Sequence, residues 1–147
     1  MSSQKSELYS SEHSDNQPTP FEHIVIVENN DADLFIQQTL IKNLGLGNKV
    51  EKRTSFSEIL RDMKAAKRLS EIPNLILMSL QGDNRGGYHF LDQFNALPDF
   101  IRDKCKLIIV TAGNSKEEKQ NAIMNPSVIR YLEKPIDAAH FRDFMYM

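Results

Sequence analysis

The chain has 147 residues, of which 40% are hydrophobic and 26% charged, and its formal net charge is -2. That length suits one domain with a single core, and the near-neutral balance gives no global attraction to nucleic acid or to a membrane surface. Cys105 is the only cysteine, which excludes an internal disulfide framework and a multi-cysteine zinc site and fits a reducing compartment; the expected role is a small buried thiol beside a strand.

The opening stretch MSSQKSELYSSEHSDNQPTP holds six serines and two prolines, and ordering it would cost more entropy than its burial returns. Residues 1–20 are therefore expected to form a flexible tail, and residues 21–147 the folded domain. No segment has the apolar core of a signal peptide, and none reaches the ~18 apolar residues of a membrane helix. A cytoplasmic protein is expected.

From Phe21 onward, short β-branched runs alternate with amphipathic stretches, the signature of βα units and a parallel sheet. The first strand, HIVIVE, ends near Glu28; the helix after it, Ala32 to Leu44, is expected to bury Phe35, Ile36, Leu40, Ile41 and Leu44 and to stop at the glycines of GLG. Lys49 to Arg53 reads as a charged edge strand, followed by a helix capped by Ser55 with Glu58 completing a capping box. Asn74 to Leu80 is apolar on both faces and belongs in the centre of the sheet. The Gly86–Gly87 pair then opens a helix with Phe90, Leu91, Phe94 and Leu97 inward, closed before Pro98. KLIIVT is the fourth strand, Ser115 to Met124 a polar and thinly packed helix, VIRYLE the fifth strand, and a last helix starts near Asp137.

A doubly wound sheet binds ligands at the carboxyl ends of its strands. Polar residues gather at four of those ends: Glu28 and Asn29, Ser79, Thr111, and Lys134 before Pro135. The segments VENN, LMSLQGDNRGG, IIVTAG and YLEKP carry them at a spacing that resembles the receiver domain of bacterial response regulators, from about Phe21 to the C-terminus. The resemblance implies an α/β, flavodoxin-like fold: a doubly wound five-stranded parallel sheet of order 2-1-3-4-5 in a three-layer (βα)5 sandwich. It also implies that Ser79 stands at the phosphoacceptor position, Glu28 and Asn29 at the acidic-pocket positions, Thr111 and Lys134 at the phosphoryl-contact positions, and Tyr131 at the switch aromatic.

The departures carry the functional reading. In a working receiver an aspartate ending strand three attacks a phosphoryl donor, with further carboxylates holding Mg²⁺. Here the acceptor is a serine and the second acid an amide, so Glu28 alone can hold the ion and only weakly; no cofactor is expected. A phosphoserine ester is inert and needs a base to form, and none is supplied. Lys134 is expected to pair with Glu28 and to bond Ser79, forming a metal-free polar plug. Asp31 or Asp33 could assist Glu28 with a cation, but their place at a helix start makes capping the stronger explanation, and Thr111 taken alone reads as a cap or turn residue. Residues 49–68 hold seven Lys or Arg against three acids, a solvated face or a docking patch. The histidines at 13, 23, 89 and 140 lack ligand spacing and read as surface or capping residues.

The expected function is an atypical receiver domain in two-component phosphorelay signal transduction, working without catalytic turnover by phosphorylation-independent protein binding. Its partner would be a histidine kinase or another signalling protein, met through the fourth helix, fifth strand and fifth helix that the resemblance implies, with no nucleic acid and no membrane. The alternative is a phosphorylatable regulator that uses a displaced carboxylate such as Asp83 with Mg²⁺. A Ser79–Lys134 hydrolytic dyad lacks an oxyanion-hole motif, and a flavin-binding protein would need a phosphate loop after strand one that the sequence does not have.

Overall fold

A computed structural model of the chain describes residues 19–146, residue 114 excepted. The tail expected at residues 1–20 therefore lies almost wholly outside the described residues. The order of elements is β1 (Phe21–Val27), α1 (Asp31–Leu44), β2 (Gly47–Arg53), α2 (Phe56–Ala65), a 3₁₀ turn (Leu69–Glu71), β3 (Leu75–Ser79), α3 (Gly82–Phe94), α4 (Asp99–Lys104), β4 (Lys106–Thr111), α5 (Lys116–Ile123), β5 (Val128–Glu133) and a closing 3₁₀ helix (Ala138–Tyr146). All strand pairs are parallel and the sheet order is β2-β1-β3-β4-β5, as expected.

Each strand alternates its side chains between two cores. Val25, Val27, Ile76, Met78, Leu107 and Ile109 face one side, where α2 and α3 add Phe56, Phe90 and Phe94 and α5 adds Ala122. Ile24, Ile26, Leu75, Leu77, Ile108 and Val110 face the other, covered by Ile41 of α1 and Phe141 of the closing helix. All five residues of β3 are buried, which is why a strand apolar on both faces takes the centre. Cys105 is buried as expected, and burial pushes its thiol up to about 12, leaving it unreactive.

The helix ends follow local chemistry. Asn30 caps α1 by accepting from the Asp33 N–H at 2.9 Å, and Gly45 ends the helix in the left-handed region at φ 65°. Ser55 caps α2 by accepting from the Glu58 N–H at 3.2 Å. The Glu58 carboxylate turns instead to Arg53, 3.7 Å away, where Asp62 also pairs at 3.0 Å. His23 bonds Glu51 at 2.8 Å, and His140 Nδ1 accepts from the Asp137 N–H in a capping turn. Among the described residues no helix is long and apolar enough to cross a membrane.

Four local expectations need correction. Phe35 is 69% exposed rather than packed, because the inward stripe of α1 runs through Gln37 and Ile41. Residues 99–104 form the unanticipated helix α4, opened by Pro98 and anchored by buried Ile101. The closing helix is 3₁₀ rather than α. Helix α3 begins at Gly82 instead of at the glycine pair, and Gly87 lies inside it for a different reason. A Cβ there would come within 2.9 Å of the Leu80 Cα and carbonyl oxygen and 3.1 Å of the Ser79 carbonyl oxygen, so only glycine lets α3 lie this close to the end of β3. Backbone atoms cannot yield as a flexible side chain does, so Gly87→Ala is expected to destabilise the fold by about 1–3 kcal/mol in urea denaturation. An unchanged midpoint would show that the helix can move away without cost.

Candidate functional site

The parallel register brings the strand ends into one row: Val27 lies beside Met78, Ser79 beside Val110, and Thr111 beside Glu133. Glu28, Ser79, Thr111 and Lys134 therefore meet along the carboxyl edge of the sheet. Glu28 is buried, and each of its oxygens is engaged: Oε1 accepts from Gln37 Nε2 at 2.9 Å, and Oε2 accepts from the Asn30 N–H at 3.2 Å and from Lys134 Nζ at 3.0 Å. Lys134 Nζ also donates to Asp33 Oδ2 at 2.8 Å. The ammonium thus lies between two carboxylates. Burial pushes its pKa down, but the hydrogen bonds to Asp33 and Glu28 and their charges outweigh that and hold it above the ordinary lysine value. The Lys134–Pro135 peptide bond that follows is cis.

The expected bond from Lys134 to Ser79 is absent. Ser79 is 1% exposed, and its hydroxyl has no hydrogen-bond partner among the described residues. An ammonium placed between two carboxylates makes charge-assisted bonds to them in preference to a neutral hydroxyl. Asp33, expected as a capping residue, is the second counter-ion, and the capping role falls to Asn30. The signal for it was a four-residue spacing: Asp33, Gln37 and Ile41 share one helical face, so the polar pair continues the buried stripe of α1 toward the strand ends. Asn29, expected at an acidic-pocket position, is exposed.

Thr111 is fully buried and heads a second cluster. Its Oγ1 accepts from the Gly113 N–H at 3.1 Å, a turn bond, and from Gln81 Nε2 at 3.3 Å. Gln81 Nε2 also reaches the Tyr88 hydroxyl at 3.4 Å; Tyr88 donates to Glu118 Oε2 through a short hydrogen bond, and Tyr131 donates to Glu118 Oε1 at 3.0 Å. Burial, followed by the Glu118 carboxylate beside it, pushes the Tyr131 phenol well above its ordinary value and keeps it a donor. A chain of polar contacts thus joins Thr111 to Tyr131 by way of α3 and α5. The sequence reading found its two ends and missed Gln81, Tyr88 and Glu118, which come together only when α3 and α5 pack side by side.

Asp83, the displaced acid considered above, adopts φ 54°, in the left-handed region that few residues other than glycine occupy. Its Oδ2 accepts from the Phe56 N–H at 2.8 Å, so this carboxylate satisfies the start of α2. The donor set at the strand ends suits Mg²⁺ poorly. Glu28 and Asp33 already share an ammonium, Ser79 offers a neutral hydroxyl, and a hard ion that sheds water reluctantly needs uncompensated carboxylates. Among the described residues no cluster of three or more His, Cys, Asp or Glu is placed to hold a metal.

Two stability measurements test this geometry. Lys134→Met leaves Glu28 buried without its counter-charge and is expected to cost about 3 kcal/mol at neutral pH, most of it recovered in the double variant with Glu28→Gln. The raised pKa of Lys134 contributes stability that is complete below the unfolded value of 10.5 and is lost as the pH rises through the folded value, so the variant should show a weaker alkaline loss than the native chain. Ser79→Ala removes an unsatisfied buried hydroxyl and is expected to leave stability unchanged or raise it by about 1 kcal/mol; a loss of that size would mean the hydroxyl is bonded.

No protein-family profile matches the sequence, and no curated protein matches it significantly. Solved structures do match. A two-component response regulator from Cytophaga hutchinsonii superposes with a TM-score of 0.72 at 17% identity, over 86% of this chain and 95% of that one. A response regulator receiver protein from Dyadobacter fermentans gives 0.69 at 26% identity, over 84% and 94%. A CheY-like receiver domain protein from Methanospirillum hungatei gives 0.62 at 21% identity, over 85% and 90%. Strand order, the row of polar strand ends and these likenesses agree: the chain has the fold of the response-regulator receiver domains.

Proposed function

We propose that this chain is an atypical receiver domain of two-component phosphorelay signalling that works by binding a protein partner, without phosphorylation at the usual position and without catalytic turnover. The observation that carries this reading is the Lys134 ammonium held between Glu28 and Asp33, together with a buried Ser79 hydroxyl that bonds none of the described residues. A receiver that accepts phosphate needs a carboxylate nucleophile and a divalent ion to neutralise the charge that develops in transfer. Here the protein's own cation already engages both acids and offsets part of their charge, and the position that should attack carries a hydroxyl that, among the described residues, no base bonds. Mg²⁺ binding is weak or absent on this reading.

The polar chain from Thr111 to Tyr131 supports the same conclusion. In the family, by resemblance, the aromatic on strand five follows the threonine when a phosphoryl group arrives. Here Glu118 takes both Tyr88 and Tyr131, so the aromatic is held in one arrangement by side chains alone. The partner-binding face is formed by α5, β5 and the closing helix. The partner is a histidine kinase or another signalling protein in the cytoplasm, and nucleic acid is not bound. Asp83 is a poor substitute acceptor because its carboxylate is tied to the start of α2.

The deciding experiment incubates the full chain with Mg²⁺ and acetyl phosphate and measures intact mass before and after hydroxylamine. No added phosphoryl mass is expected. A hydroxylamine-labile adduct that disappears in Asp83→Asn would overturn the proposal in favour of the displaced acceptor.

A further inference from the structure

Helices α3 and α5 cover the same face of the sheet but leave a groove of about 530 Å³ between them. Leu80, Leu91, Ala122 and Met124 give it apolar lining, and Asp92 from α3 with Glu117 from α5 adds negative charge. Among the described residues no lysine, arginine or histidine lines it. That one-sided charge is notable in a chain with a net charge of only -2. It arises because α5 sorts its charges: Glu117 and Glu118 line the groove, whereas Lys116 and Lys119 do not. Glu118 is occupied by Tyr88 and Tyr131. Asp92 and Glu117 are exposed, and among the described residues neither is in an ion pair.

The groove extends from Ser115, which precedes α5, to Pro126, which follows it, so it spans the whole eight-residue helix, about 12 Å. A trough of that form takes an elongated segment. Met124 is 78% exposed at one end of it, an adaptable apolar side chain at the mouth. Helix α5 itself buries only Ala122 in the core, which leaves its groove side available.

We propose that the α3–α5 groove is a docking site for an amphipathic helix of a partner protein, one with an apolar stripe bordered by lysine or arginine. Leucine-type side chains at i, i+3 or i+4 and i+7 fit the apolar lining, and the basic border meets Asp92 and Glu117. This surface lies on the other side of α5 from the face assigned to the partner above, and the inference does not depend on whether the strand ends accept phosphate.

The test is an NMR titration of the full chain with a synthetic helical peptide of about four turns, built from leucines on one face and lysines elsewhere. Saturable shifts are expected at the amides of Leu91, Asp92, Asn121 and Ala122. The double variant Asp92→Lys, Glu117→Lys should weaken binding about tenfold or more, while the control Glu22→Lys, Asp103→Lys, with the same change in net charge, should alter it less than about threefold. Met124→Glu, at a position too exposed to threaten folding, should also weaken binding and serves as the second variant. A peptide with glutamate for lysine, or with the same lysines but no apolar stripe, should not bind. Equal binding of either control peptide, shifts that map elsewhere, or indifference to the groove variants would overturn the proposal. So would self-association in sedimentation that the groove variants abolish, or a change in the groove amides on deleting residues 1–18, since a second copy or the chain's own tail would then be the occupant.

Discussion

Burying a carboxylate as fully as that of Glu28 is costly without a compensating charge, and Lys134 supplies it. The constraint is long-range. Glu28 follows β1 and Lys134 follows β5, and in the sheet those strands are separated by β3 and β4. At a strand spacing of about 4.8 Å the ion pair therefore connects elements some three strand widths apart. Asp33 adds the first turn of α1 to the same ammonium, and Gln37 one turn later fixes the other Glu28 oxygen. One cation thus gathers β1, α1 and β5 around the end of β3, where Ser79 is enclosed.

This arrangement changes what the strand ends can do. In the receiver family, by resemblance, such a pocket holds excess negative charge until a divalent ion balances it, and that imbalance makes the pocket receptive. Here part of that charge is offset internally: one ammonium faces two carboxylates, and the Gln37 amide and the Asn30 backbone N–H also donate to Glu28. The hydroxyl of Ser79 is left out because it is the weakest acceptor available to the lysine. A second cluster is tied to the first through Thr111. Its carbonyl accepts from the Lys134 backbone N–H at 2.8 Å, while its hydroxyl begins the chain of contacts through Gln81 and Tyr88 to Glu118. Since α5 contributes little to the apolar core, those polar contacts are a large part of what holds it against α3 and β5.

Much of this was legible beforehand. Strand identity came from apolar runs with a period of two, and the central place of β3 from its having no polar face. The cap at Ser55 and the stop at Gly45 follow from local hydrogen-bond chemistry that any short peptide carries. Where periodicity misled, the cause was tertiary. Phe35 fits an apolar stripe on paper, but the sheet surface that would cover it lies under Gln37 and Ile41 instead. Gly87 reads as a helix-opening residue, yet its real constraint is the approach of α3 to the backbone of Leu80 and Ser79, which no local pattern encodes.

The site divides the same way. Sequence by itself determined which residue types end the strands, and therefore that Ser79 brings a hydroxyl and Asn29 an amide. Those are covalent facts, and the parallel sheet has only to align them. Only the tertiary structure decided which acids answer Lys134, that Ser79 is left unbonded, and that Glu118 joins two tyrosines. These outcomes depend on distances between elements remote in the chain, where a side chain chooses among several acceptors by charge and reach. The approach of helices and strands sets that choice, and local sequence does not contain it.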